Sequence, residues 1–246
     1  MTDNEKDLRI TELLKRITTI SKQMPEMVLT YFSNFERNKL TKPFYNLFAE
    51  SFLSLFSFSF LYLNHAWSQA SAILRTTIEQ VSKVVVLSNN SNLIPSFIDL
   101  KQIADSYENL SSKEEKDNFL LQYADDINEF NNYTEYGWAK PLLNDKLPSR
   151  NEVIKLASLG ETIVDIRNQL NNFVHGNMSI FDFYTETSKT DLMKKYGRRI
   201  ALISCKLFYL CYISFKNWGM VKDISLDTDE EFINFKNKYK YLVENY

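Results

Sequence analysis

Only two histidines, His65 and His175, occur in this 246-residue sequence, so proton transfer near neutral pH has few carriers. His65 falls in an expected turn between two apolar helices. There it reads as a polar turn residue or as an imidazole satisfied by backbone. His175 closes the segment Asp165-Ile166-Arg167-Asn168-Gln169-Leu170-Asn171-Asn172-Phe173-Val174-His175-Gly176. On a helix Asn168 and His175 share a face, and Asn171 lies one turn below His175 on the same side. Arg167 is eight positions back, about 80° around the axis, at the edge of that strip. The strip opposes an apolar stripe of Ile163, Ile166, Leu170 and Phe173, and Gly176 is placed to end the helix. A guanidinium that can hold phosphate beside a titratable imidazole suits phosphodiester cleavage. A solvated helix face ending in His-Gly has the same spacing.

A second polar pair, Arg75 and Glu79, interrupts the run ILRTTIEQVSK one helical turn apart. Leu74, Ile78 and Val81 flank it, so it lies beside a core stripe. It is either a partly buried structural ion pair or a pair that faces the His175 strip across a bundle. Basic residues cluster at Lys194, Lys195, Arg198 and Arg199. Nearer the C-terminus, Lys236, Lys238 and Lys240 alternate with Phe235, Tyr239 and Tyr241, as a stacking-plus-phosphate surface would. The same tail has a helical apolar stripe, Phe232, Phe235, Tyr239 and Leu242, that would leave those lysines on a wet face.

These residues need helices to place them, and the composition favours helices. The chain has five Gly and five Pro, against roughly 17 and about 12 for average usage. Too few breakers remain for the frequent turns of a sandwich or barrel. No two glycines are near neighbours, which excludes a Rossmann fingerprint and a P-loop. Lys and Arg total 29 against 31 acidic residues, so any nucleic-acid contact must come from a local patch. Cys205 and Cys211 would lie about 9 Å apart on one helix, too far for a disulfide. Two Cys and two His in separate segments make no zinc pattern, and neither metal nor cofactor is expected.

The expected elements run as follows. Asp3 or Asn4 caps a helix to about Lys22; Pro25 marks a break, and Glu26 to Arg37 resumes. Thr41-Lys42-Pro43 starts a helix through Leu63, and another runs from about Trp67 to Ser88. In the latter, Ala70, Leu74, Ile78, Val81 and Val85 form one stripe. Ser88 to Asn92 is a loop. Ser96 to Asn131 reads as two surface helices, the second capped by Ser111 or Ser112. Asn132 to Arg150 looks irregular. Gly160 ends a short helix, Glu161 opens the next, and Asp191 to Trp218 and Asp227 to Tyr246 complete the set. The whole is one all-α helical bundle over residues 1–246, with a core of about 44–218 and a more polar helical insertion of about 96–150. The apolar runs Ser51–Leu63 and Ile200–Phe215 fall short of the ~20 residues of a membrane span. Such helices must be enclosed by other helices or by a partner subunit. A charged N-terminus without an apolar signal core suggests the cytoplasm.

A long helix reading A-x-x-x-L-R-x-x-x-E (Ala70, Leu74, Arg75, Glu79), followed much later by L-N-x-F-V-H-G (Leu170 to Gly176), resembles the HEPN superfamily. These all-α domains are common in bacterial toxin–antitoxin and antiviral defence systems. Their usual signature is Arg, often followed by Asn, and then His after four to six residues. Arg167-Asn168 and His175 offer the same residues but depart from the spacing, with seven residues between. The resemblance implies a metal-independent endoribonuclease acting as a toxin or abortive-infection effector, with His175 moving the proton and Arg167 or Arg75 stabilising phosphate charge. It implies RNA as substrate and a homodimer, with an antitoxin or second defence subunit as a further partner. A catalytically silent nucleic-acid-binding or scaffolding subunit is the alternative. Asn171, Lys194, Lys195, Arg198 and Arg199 are then the candidate RNA contacts.

Overall fold

Residues 2–33, 42–174, 189–217, 234–235 and 237–240 are described by a computed structural model. Among them the regular elements are all helical. In chain order they are α1 (Asp3–Ser33), α2 (Lys42–Leu63), α3 (Trp67–Asn89), α4 (Ile94–Glu108), α5 (Lys113–Leu120), α6 (Ile127–Tyr136), α7 (Arg150–Leu156), α8 (Glu161–Val174) and α9 (Lys189–Phe215). Short 3₁₀ turns cover Ser91–Leu93 and Gly137–Leu143.

α3 is the central strut, packing against α2, α7, α8 and α9. Its expected stripe is the buried one: Ala70, Leu74, Ile78 and Val81 are sealed from solvent. α1 lies along α2 through Ile10, Leu13, Leu14, Ile17, Met24 and Val28. That contact corrects the expected break at Pro25. A proline inside a helix costs about 3 kcal/mol, but the helix runs unbroken through it because the apolar residues on both sides bury on one neighbour. Two buried serines in the apolar helices are satisfied locally: Ser51 and Ser82 donate to the carbonyls of Leu47 and Ile78 one turn back.

Three further expectations change. Ser96 to Asn131 holds parts of three helices rather than two, and Phe97, Ile98, Leu100 and Phe130 are core residues. Asn132 to Arg150 is irregular only over residues 144–149. α6 continues to Tyr136, and the 3₁₀ turn after it buries Trp138, whose indole donates to the Glu135 carbonyl and whose ring meets Phe97 edge-on. α2, at 22 residues, is long and apolar enough to cross a membrane, because Phe44 to Ala49 extend the run counted from Ser51. Its buried face packs on α1, α3 and α9, while Leu53 and Phe60 remain about half exposed.

The apolar α9 is enclosed by its own chain. Leu207, Phe208, Cys211, Tyr212 and Phe215 are sealed, Phe48 and Phe52 of α2 meet Phe215 edge-on, and Phe235 packs on Phe208. No partner subunit is needed to cover it. Burial pushes the Cys205 thiol up to about 12 and the Cys211 thiol higher still. Neither cysteine is therefore expected to react with Ellman's reagent at about pH 8 until the protein is unfolded in guanidinium. Rapid reaction of the native protein would show that α9 is open.

Candidate functional site

α3 presents Arg75, Glu79 and Lys83 at successive turns beside its buried stripe. α8 crosses α3 by burying Ile163, Val164, Ile166 and Leu170. Arg167 lies four residues after Ile163 and three before Leu170, so it belongs to this face and not to the polar edge expected of it. It is 5% exposed, the most buried arginine among the described residues. Its Nη2 and Nε donate to one oxygen of Glu79, Oε1, at 2.6 and 2.9 Å, and Nη1 donates to Asn168 Oδ1 at 3.3 Å.

Two more guanidiniums close on the same carboxylate. Arg150 Nε is 3.4 Å from Glu79 Oε2, and Arg75 Nε is 3.8 Å from Oε1. Arg150 is the first residue of α7, placed there by the Ser149–Glu152 capping box. Its Nε also donates to the Tyr136 hydroxyl at 2.9 Å. Lys83 lies 5.0 Å over the Tyr136 ring and 3.5 Å from Glu135. Burial alone would raise the Glu135 carboxyl, yet Lys83, the Tyr136 hydroxyl and Arg150 together hold it below the ordinary range. Burial, then the Glu135 charge, push the Tyr136 phenol well up, so it stays neutral. Four cations (Arg75, Lys83, Arg150, Arg167) against two carboxylates (Glu79, Glu135) leave a formal surplus of +2.

Glu79, Lys83, Tyr136 and Arg150 also form one wall of a cleft of about 1370 Å³ between α2, α3, α4 and α6. Six carboxylates and four cations line it, so the cleft as a whole carries no basic surplus. Arg75, Arg167 and Asn168 do not line this cleft, whereas Arg150 does, with its side chain 38% exposed.

The structure thus brings Arg75, Glu79, Arg167 and Asn168 together and adds Arg150, Lys83 and Tyr136. Asn168 is exposed, and the Asn171 amide oxygen is buried without a hydrogen bond among the described residues. His175 lies outside the described residues, directly after the last residue of α8. Sequence spacing paired Arg75 with Glu79 but missed Lys83, one turn further along α3, and no local pattern ties Arg150 to them. No group of three or more metal-ligating side chains forms among the described residues.

The basic cluster of α9 divides. Arg198, expected as an RNA contact, is buried and forks onto Asp7 of α1, with Nη2 to Oδ2 at 2.8 Å. Arg199 is exposed. The side chains of Lys194 and Lys195 lie outside the described ones. In the tail, Phe235 is buried, Tyr239 stacks on it and on Tyr209, and Lys238 pairs with Glu12 at 3.0 Å, as the apolar-stripe reading expects. Arg198→Ala is expected to lower unfolding free energy by about 2 kcal/mol in urea while leaving RNA affinity unchanged. Weakened RNA binding by a stable Arg198→Ala protein would return the residue to the interface.

No protein-family model, curated protein or solved structure matches this chain.

Proposed function

We propose that this chain is a HEPN-like, metal-independent endoribonuclease that acts in toxin or antiviral defence. The observation that supports it most is the Glu79 carboxylate gathering Arg75, Arg150 and Arg167 with a surplus of positive charge, on the helix pair that leads to His175. A partly buried positive surplus beside an exposed Asn168 suits a phosphodiester whose charge grows during cleavage. In this reading the RNA 2′-hydroxyl attacks its own phosphorus and the bond to the 5′-oxygen breaks. His175 takes the 2′ proton or gives one to the leaving oxygen. Arg75 and Arg150, the more exposed members, carry the phosphate oxygens. Arg167, tied to Glu79, is a positioning residue.

The burial of Arg167 favours a second reading: the signature arginine is structural, and the chain is a silent RNA-binding or scaffolding subunit beside an antitoxin or defence partner. Both readings suit a cytoplasmic protein, and a homodimer through the exposed α2 residues Leu53 and Phe60. Incubating purified protein with single-stranded RNA in EDTA separates the two. Fragments ending in cyclic phosphate support the nuclease, and intact RNA that is nevertheless bound supports the subunit.

A further inference from the structure

The corner between α2 and α3 gathers aromatic and basic side chains that the Glu79 cluster does not use. α2 ends at Leu63, and the chain reverses through Asn64 and His65 before α3 opens at Trp67. The turn is tightly fixed: the Asn64 side chain donates to the Phe60 carbonyl, and the Ala66 amide donates back to Leu61. His65 occupies the left-handed region at φ 61° and is exposed. Such a conformation is tolerated by few residues and holds the imidazole at the tip.

Three rings meet there. Tyr62 stacks on Trp67 with centroids 6.0 Å apart and planes within 12°, and the His65 ring lies 6.4 Å from Trp67. Phe58, fully buried, packs on Tyr62 and ties the stack to the core. His65 is exposed, and Tyr62 and Trp67 are half-buried.

The start of α9 joins the same corner. At Gly197 a Cβ would stand 3.2 Å from the Tyr62 hydroxyl, so the absent side chain lets α9 press against the ring. Arg198 turns inward to Asp7, and Arg199 stays exposed. Burial pushes the neighbouring Tyr196 phenol up to about 12, while Ser71 of α3 and the Arg199 charge pull it down. Aromatic faces and a guanidinium at one end of a bundle are the elements of a surface for unpaired bases.

We propose that this corner binds single-stranded RNA, with a base stacked at Trp67 and His65 and a neighbouring phosphate on Arg199. A duplex keeps its bases within the stack and offers no face to these rings. Trp67 and Arg75 are eight residues apart on α3, about 12 Å along its axis. A strand held at the corner is therefore led along α3 toward the Glu79 cluster. The inference rests on the RNA half of the proposed function and not on cleavage.

The test is fluorescence anisotropy with a labelled 2′-O-methyl oligouridylate of about 12 nucleotides, which cannot be cut by 2′ attack. Trp67→Leu is expected to weaken binding roughly 5- to 150-fold, the loss of one stacked base. Arg199→Gln is expected to reduce the slope of log affinity against log salt by about 0.7, one phosphate contact on a single strand. His65→Asn keeps the turn and is expected to weaken binding less than Trp67→Leu. Should Trp67→Leu fail to fold by circular dichroism, the salt slope of Arg199→Gln decides, because that side chain is exposed. The corner is overturned if the wild-type chain binds no probe, if a duplex of equal length binds as well, or if both Trp67→Leu and Arg199→Gln bind as wild type. Binding lost only in Arg150→Gln also overturns the corner while leaving the cluster as the phosphate site. Corner-dependent binding by a protein that cuts no RNA supports this inference and defeats the nuclease reading.

Discussion

Glu79→Ala is expected to lower the unfolding free energy by about 3 kcal/mol, which for a chain of this length lowers Tm by roughly 6–12 °C. The carboxylate is the only acid within 4 Å of Arg167 among the described residues, and the Arg167 side chain is 6% exposed. Removing Glu79 leaves that guanidinium buried and unpaired, with Arg75 and Arg150 repelling it at close range. The partner that matters is therefore Arg167 and not Arg75, although Arg75 is the neighbour in sequence. At 3.8 Å and 22% exposure, Arg75 falls in the range of pairs worth under about 1 kcal/mol.

Two double variants distinguish these partners. Arg167→Met/Glu79→Leu removes the buried pair together and leaves Arg75 and Arg150 able to reach water; most of the lost stability should return. Arg75→Met/Glu79→Leu strands Arg167 and should recover little. Urea denaturation of the four proteins reads the difference directly. Equal recovery in both doubles, or a Glu79→Ala protein within 0.5 kcal/mol of wild type, would show that the cluster does not hold α8 to α3.

What the sequence disclosed about this fold was what depends on neighbours. The α3 stripe has a 3.6-residue period and near-correct bounds, and the Ser112 cap with Glu115 forms as its local pattern requires. Pro25 was misjudged because a breaker acts locally, while the helix around it is held by apolar contacts along a separate helix. Trp138 was hidden in a stretch with two prolines because its ring partner, Phe97, belongs to a different helix. Arg167 shows the same limit at the site. Helical spacing set it at the edge of the polar strip, although it falls between Ile163 and Leu170 of the buried face. The acid that stabilises it there lies 88 residues earlier, and no periodicity reveals such a pairing. The His175 strip was drawn by helical face alone, and a face containing one buried charge cannot be drawn without its partner.

His175→Ala is expected to reduce RNA cleavage in EDTA by 10²- to 10⁴-fold, while circular dichroism and RNA affinity stay at wild-type levels. The size of the effect follows from scarcity. His65, the other imidazole, lies in the α2–α3 turn, before the α3 helix that carries Arg75 and Glu79. Beside Glu79, burial pushes the Tyr136 phenol well up, and Lys83, the Tyr136 hydroxyl and Arg150 hold the Glu135 carboxyl below the ordinary range, so neither is suited to exchange a proton at neutral pH. Arginines stabilise charge on phosphate oxygens but do not exchange protons at this pH. If cleavage occurs here, the proton at the 2′-hydroxyl or the 5′-oxygen has His175 as its carrier. Arg150→Gln then provides the counterpart. If Arg150 carries a phosphate oxygen as proposed, this variant loses that contact and keeps His175, so activity should fall while its pH dependence keeps the shape set by the imidazole. A His175→Ala protein that cuts as fast as wild type would place the chemistry elsewhere. Loss of cleavage in Arg150→Gln together with an altered pH profile would mean that Arg150 sets the titration and is more than a phosphate contact.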